Sequence, residues 1–351
     1  MALAHKSIHL SRKEYNCGCE EEKAHPSPNC KSIQKSEKKQ PKKSRYRVRN
    51  WPEYDQALVQ RGSVILWVSD DAIAKWRYDG PTHRGAPFVY SDTAIETVLT
   101  LREVFHLPNR GVEGFVRSLF QTMGISLPVP DHTTLSRRGR TVKVRLPKRA
   151  KGPLHLVLDS SGLKVYGEGE WKVRQHGVSK RRTWRKIHLA VDSESGEFQA
   201  VELTKADVHD AKAVQRMLEE VERPLASVAG DGSYDRREVY QALQEHSPDV
   251  RIAIPPRRDA RIWRHGNAKG PPHPRDENLR YIRRHGCRAW KRHSGYHRRS
   301  LAETAVFRLK TIFGPSLSAR LLETQRTQAR IRCRALNVMT HLGMPDSYVV
   351  T

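Results

Sequence analysis

The sequence is poor in cysteine, with five in 351 residues, at positions 17, 19, 30, 287 and 333. An odd, unevenly spread set excludes a disulfide framework and makes a reducing compartment the default. Cys17, Cys19, His25 and Cys30 match no paired zinc-knuckle spacing and read as free thiols in a polar tail. No apolar run reaches the roughly 18 residues of a membrane span. The first 30 residues lack the apolar centre of a secretory signal. An RNP-type motif is missing too, which weighs against RNA-binding modules of that kind. Acid is scarce: 38 Asp and Glu stand against 64 Lys and Arg, a formal net charge of +26. Such an excess calls for a polyanionic partner. Nucleic acid is favoured over an anionic membrane, because no long basic helix with a bulky apolar face is found.

What is present suffices for a globular protein. Apolar residues make up 37% of the chain, and its length suggests about two domains. Residues 1–44 are rich in Lys, Ser and Pro without periodicity and read as a disordered basic tail. Residues 45–150 read as a helical domain. One helix follows Asn50 as cap, one follows the cap candidate Asp92, and one covers 111–123 with Val112, Phe115, Val116 and Leu119 on one side. A further helix capped by Asp131 carries Arg137 and Arg138. Two helices joined by a turn, the second basic, suggest a helix-turn-helix reader of DNA.

After a basic linker the period switches to two. LHLVLDSSGLKVYG reads as a strand, a tight turn at 160–162 and a short return; TWRKIHLAVD and EFQAVELT read as two more strands. Then come helix 210–222, strand 227–231, helix 235–246 and strand 250–256. This order, β-β-β-α-β-α-β and a final helix, predicts an α/β fold over 151–345: a ribonuclease-H-like mixed sheet covered by helices. A basic insertion interrupts it at about 257–295. Arg251 to Arg299 holds fifteen Lys and Arg against three acids, with Trp263, Tyr281 and Trp290 interspersed. Cations mixed with aromatics suit phosphate neutralisation and base stacking, and Trp263 and Trp290 are candidate stacking residues.

Asp159 and Asp231 each follow an apolar strand, at the carboxyl edge where α/β folds place their chemistry. On neighbouring strands they would converge, and like charges that close call for a cation between them. Oxygen-only ligands suit Mg²⁺ or Mn²⁺, and a pair of such ions makes a phosphoryl-transfer site. In YHRRSLAETAVFRLK, residues Tyr296, Arg299, Glu303 and Lys310 fall within about 60° on a helical wheel. Leu301, Ala305, Leu309 and Ile312 centre opposite, as the packing face. A competing reading makes Ser300 and Glu303 a capping box, with Glu303 turned back to the Ser300 amide.

The spacing Tyr-x2-Arg-x3-Glu-x6-Lys, with LVLDSSGLKV, VAGDGSYD and WRKIHLAVD, resembles the DDE transposases of bacterial and archaeal insertion sequences. The match is to the four/five superfamily, five-type branch, and covers about Arg45 to Met344. The resemblance implies a ribonuclease-H-like core in which Asp159, Asp231 and Glu303 are catalytic and bind two Mg²⁺ ions, with Mn²⁺ able to substitute. Tyr296, Arg299 and Lys310 would contact phosphates. Partners would be double-stranded DNA, as terminal inverted repeats and target, and further copies of the chain in a dimer or larger synaptic assembly. A cytoplasmic, nucleoid-associated protein is expected. The alternatives are a ribonuclease-H-like nuclease without strand transfer, or a non-catalytic DNA- or RNA-binding protein.

Overall fold

The computed structural model describes residues 45–81, 87–149, 151–165, 184–265 and 271–350. The basic tail and the cysteines at 17, 19 and 30 lie outside them.

Among the described residues the centre is a mixed sheet. Its strands are β2 (Leu154–Val165), β3 (Trp184–Asp192), β4 (Phe198–Lys205), β5 (Leu225–Ala229) and β6 (Arg251–Ala253). They lie in the order β4-β3-β2-β5-β6. The first three are antiparallel, and β5 and β6 are parallel to β2 and to each other. Three meandering strands followed by two crossover units are the ribonuclease-H-like arrangement expected. One expectation changes. Ser160–Gly162 form no turn, and β2 runs straight through them to Val165. Pairing with β3 continues to Lys164↔Trp184, so the Gly lies inside the ladder.

Side-chain parity divides the core. Leu154, Leu156, Leu158, Ala190 and Ala200 face the crossover helices α7 (Asp210–Leu218) and α8 (Arg237–His246). Leu163, Ile187, Leu189, Val191, Val201 and Leu203 face the other way. There they meet α10 (Ser300–Phe313) and α11 (Leu322–Leu342). Strand alternation thus gives one sheet two apolar faces, each covered by helices.

The N-terminal helices are α1 (Trp51–Gln60), α2 (Val64–Trp67), α3 (Asp70–Ala74), α4 (Asp92–Val104), α5 (Asn109–Thr122) and α6 (His132–Arg138). Trp67, Trp76, Ile95, Leu101, Val116 and Leu135 belong to the same buried cluster as the α10–α11 face of the sheet. No break in the core therefore falls near residue 150. Buried Glu103 ties α4 to α11, accepting from Arg102 and, at 2.6 Å, from Arg332 Nε. Strand β1 (Arg45–Val48) pairs with β8 (Ser347–Val350). Asn50 caps no helix. Its side chain donates to Met344 O and accepts from Asp346 N, clasping the two ends of the described chain. Ser91, not Asp92, caps α4, through Ala94 N.

The basic segment after β6 is ordered around α9 (Pro274–His293), which breaks direction at Gly286 with φ 80° and ψ 160°. Buried Asp235 fixes it to the core by a paired contact with Arg275, at 2.6 and 3.1 Å. No helix among the described residues is long and apolar enough to cross a membrane.

Candidate active site

The register of β2 and β5 fixes the first two carboxylates. Val157 pairs with Ala229 in the parallel ladder. Two residues further, where β5 has ended and β2 continues, come Asp231 and Asp159. They stand side by side on neighbouring strands, Asp231 just past the end of β5 but Asp159 midway along β2. Strand β2 does not end there as the sequence suggests, because pairing with β3 carries it on to Val165. Asp231 begins a short 3-10 turn (Gly232–Tyr234), its Oδ1 accepting from Ser233 N at 2.9 Å and Ser233 Oγ at 2.5 Å.

Helix α10 supplies the third carboxylate. Left-handed Gly295 (φ 70°) starts the 3-10 turn Tyr296–Arg299, which runs directly into Ser300. Gly314 (φ 78°) ends the helix, and β7 (Ser316–Leu317) then pairs with the far end of β2. The helix is pinned to β2 a second time, where Lys310 Nζ donates to Ser161 Oγ at 2.7 Å. Ala302, Ala305, Leu309 and Phe313 form its buried face. Leu301, expected on that face, is 41% exposed. Ala302 takes its place, while Ala305 and Leu309 are buried as expected.

The capping box does not form. Ser300 Oγ donates backwards to His297 O, and no side chain caps the helix. Because the 3-10 turn already supplies backbone ahead of Ser300, there is no free helix start for a box to close. Glu303 Oε1 instead accepts from Arg299 Nη1 at 3.0 Å, and Arg299 Nη2 lies 3.9 Å from Asp159 Oδ1.

Arg299 is the electrostatic centre of the site. Burial works against its charge, but Tyr296, Asp159, Glu303 and Asp231 outweigh it and raise its pKa. Burial pushes the Asp159 carboxyl up to about 6 against the pull of Arg299, and the negative charges of Asp231 and Glu303 push the same way. The structure thus brings Asp159, Asp231, Glu303, Arg299 and Lys310 into one site. Tyr296 borders it, its ring 5.3 Å from that of Trp290.

Three other expected contact residues are committed elsewhere. Trp290 is 1% exposed and donates to Asn278 Oδ1, so no ring face is left for a base. Trp263 is packed among Tyr240, His273, Arg237 and Arg275. Trp290 packs within the insertion, and Trp263 packs partly buried against α8 and the core beneath it. Arg138 is buried, donating to Tyr90 O and Asp92 Oδ1 with its guanidinium over the Phe88 ring. Arg137, on the same helix, is exposed.

Among the described residues, no three His, Cys, Asp or Glu side chains form a ready-made cation cage. Arg299 holds Glu303 and neighbours Asp159 where a cation would stand. The donor set nevertheless fits hard divalent ions: it is all carboxylate, and the charges of Asp231 and Glu303 add to burial in raising the Asp159 pKa, a repulsion that a cation between them would relieve.

Two family models, each described as a transposase DDE domain, match this chain, one over residues 59–168 and one over residues 150–338. The second covers more than half of the chain and contains all three carboxylates. The chain belongs to the DDE transposases. It is accordingly an enzyme of the transposase class. Among solved structures, the transposase is similar to a piggyBac transposase synaptic complex with hairpin DNA, seen by cryo-electron microscopy. The two are 12% identical over 81% of this chain and 76% of that one, with a TM-score of 0.35. At that level the likeness carries no argument about this site.

Sequence reasoning passed over a second group of polar residues: Lys186, His188, Asp210 and Ser233. The signal was there, since Lys186 and His188 alternate with apolar residues in β3 and so point to one face.

Proposed function

We propose that Asp159, Asp231 and Glu303 hold two divalent cations, Mg²⁺ with Mn²⁺ able to substitute. With them the transposase cleaves DNA at the terminal inverted repeats of its element and joins the freed ends to target DNA. The observation that carries this reading is the placement of Asp159 and Asp231 side by side on two neighbouring parallel strands, with Glu303 joined to Asp159 through Arg299. When bound, the cations would supply charge neutralisation and an activated oxygen nucleophile for phosphoryl transfer.

The chain's own residues then position. Asp159 and Asp231, fixed by the sheet, define the rigid side of the site. Glu303, 42% exposed on its helix, is the adjustable side. Arg299 balances the carboxylates and lies where it can turn to a phosphate. Lys310, loosened from its proton by burial although Asp159 opposes this, adds a second cation on the same wall. Tyr296 orients the backbone at the rim. The reaction is hydrolysis of a phosphodiester at the element end, releasing a 3′-hydroxyl, then attack of that hydroxyl on a target phosphodiester. No covalent protein intermediate is needed, because positioning and electrostatics supply the catalysis. Arg137 and the exposed arginines of α9 suit double-stranded DNA. Joining two ends requires a dimer or larger assembly.

The test is nicking of a labelled element-end duplex in Mg²⁺. Asp159→Asn, Asp231→Asn and Glu303→Gln should each lose nicking while shifting the same duplex in a gel. A fully active Asp159→Asn enzyme would overturn the reading.

A further inference from the structure

A groove of about 480 Å³ runs between α11 and the segment that leaves α6, beside the edge strand β4. None of the three site carboxylates lines it. Arg140, Lys143 and Arg145 line one wall, and Glu323, Arg326 and Arg330 line the other.

The walls differ in how much of their charge is already neutralised. Arg330 makes a paired contact with Glu220, at 2.5 and 3.0 Å, and Arg326 Nη2 is 3.8 Å from Glu202 Oε1. Arg140, Lys143 and Arg145 are exposed, and none forms an ion pair with a described residue. Glu323 is the one acid in the lining, in the first turn of α11, where a negative charge suits the helix start.

Arg326 and Arg330 act as struts. Arg330 Nε donates to Val144 O at 3.3 Å and its Nη1 to Val201 O at 3.2 Å, while Arg326 Nε donates to Leu203 O at 3.1 Å. The unneutralised wall is thereby fixed to α11, and α11 to the outer edge of β4. Val142 and Val144 are buried while Thr141, Lys143 and Arg145 are exposed, the alternation of an extended segment. Lys143 and Arg145 therefore face outward together, roughly 7 Å apart along the chain.

Such a row selects its ligand. The anions must repeat at a regular interval, because the cations are fixed at one. The ligand must need little apolar contact, because both valines turn inward. A nucleic-acid backbone meets both conditions, and an acidic peptide, whose charges hang on flexible side chains, fails the first. Register relates the groove to the site. Asp159 pairs with Leu189 and Leu189 with Val201, so the carbonyl held by Arg330 lies on the row of Asp159. Two strand spacings, roughly 10 Å, separate β2 from β4. At about 3.4 Å of duplex per nucleotide, the groove stands about three nucleotides or more from a phosphate at Asp159.

We propose that this groove binds the backbone of duplex DNA, with Arg140, Lys143 and Arg145 taking phosphates about three to six nucleotides from the scissile one. The proposal rests on the reading of element-end DNA as the substrate. Arg137, exposed at the end of α6, extends the same row. Contacts of this kind set the position of the duplex without reading its sequence, and so hold the cut end in place over the carboxylates.

The experiment is binding of a labelled element-end duplex to the full chain, with chelator present, by fluorescence anisotropy at several salt concentrations. Thermal unfolding of each variant is recorded alongside. The triple variant Arg140→Ala, Lys143→Ala, Arg145→Ala should lower the salt slope by about three units and weaken binding on the order of 100-fold at about 0.15 M salt. Duplexes carrying a single neutral methylphosphonate then locate the contacts. About three to six nucleotides from the cut, the neutral linkage should weaken parent binding about fivefold and leave the triple variant unaffected. An unchanged slope in the triple variant would overturn the proposal. So would a triple variant still sensitive at those phosphates. Should the triple variant not fold, Lys143→Gln and Arg145→Gln should each lower the slope by about one unit, and unchanged slopes there would overturn the proposal equally. Failure of the underlying reading looks different: a parent that binds a scrambled duplex as tightly as the element end loses the inverted-repeat assignment, while the slope still tests the groove on either duplex.

Discussion

Arg299 donates to Glu303 across one helical turn, Nη1 to Oε1 at 3.0 Å, while its other amino group faces Asp159. A residue that a capping box would turn toward the Ser300 amide is thereby turned into the site.

The two roles of Glu303 differ in consequence. A capping Glu tolerates Gln; a group whose charge serves the reaction does not. Glu303→Gln should lower end cleavage by about 10²-fold or more, the usual scale for one electrostatic contact. Its melting temperature and its gel shift on end DNA should stay near the parent's.

Asp159 is expected to trade stability for function. Its folded pKa of about 6 exceeds the ordinary 3.8, so the folded state holds its proton more tightly than the unfolded state. In metal-free protein the resulting penalty is absent below about pH 4, grows as pH rises through 6 and is complete above it. At 1.36 kcal/mol per pKa unit, Asp159→Asn should stabilise the metal-free chain by up to about 3 kcal/mol at pH 7. Denaturant unfolding with chelator present, at pH 7 and pH 4.5, should show the gain shrinking at the lower pH, with cleavage lost at both.

His188 works with the opposite sign. Burial lowers its pKa from 6.5 to about 4, so it contributes stability that is present above 6.5 and lost as pH falls toward 4. Between pH 7 and pH 5 the parent should lose about 2 kcal/mol more than His188→Gln. Equal slopes for the two proteins would contradict this.

Gly230 precedes Asp231, and a Cβ there would meet Tyr234 Cδ2 at 3.0 Å and Cγ at 3.4 Å. The buried ring has little room to move. Gly230→Ala should destabilise by about 1–3 kcal/mol. It should also weaken Mn²⁺ binding, because the ring that must shift adjoins Ser233. Calorimetry and Mn²⁺ titration check the two effects separately.

Adjacent arginines on α6 should behave differently. Arg137→Ala should weaken DNA binding evenly across sequences, lower its salt slope by about one unit and leave stability unchanged. Arg138→Ala should cost about 1–3 kcal/mol by removing its hydrogen bond to the Tyr90 carbonyl and its packing over Phe88. Fluorescence anisotropy at several salt concentrations and thermal melts distinguish them.

Much of the fold was legible. Period-two runs gave the strands, and apolar residues at helical spacing gave the crossover helices. Asp159 and Asp231 stood out because an acid after an apolar strand is local information. Glu303 stood out because its helix wheel is local too. The straight course of β2 through Gly162 was not legible. Ser-Ser-Gly is turn chemistry until a neighbouring strand supplies the ladder bonds that keep it extended. Nor were the burials of Trp290 and Arg138 or the packing of Trp263 against α8, because a cation or an aromatic in a basic segment carries no mark of which way it faces.

The sequence by itself determined which carboxylates follow apolar runs, the helix face of the third, and the charge that calls for a polyanion. All are properties of single elements. Only the tertiary structure decided that Arg299 spans Glu303 and Asp159, that Lys310 reaches Ser161 on β2, and that Arg138 turns inward to Tyr90. Each of these depends on the distance between elements far apart in the chain, which is set by register and packing.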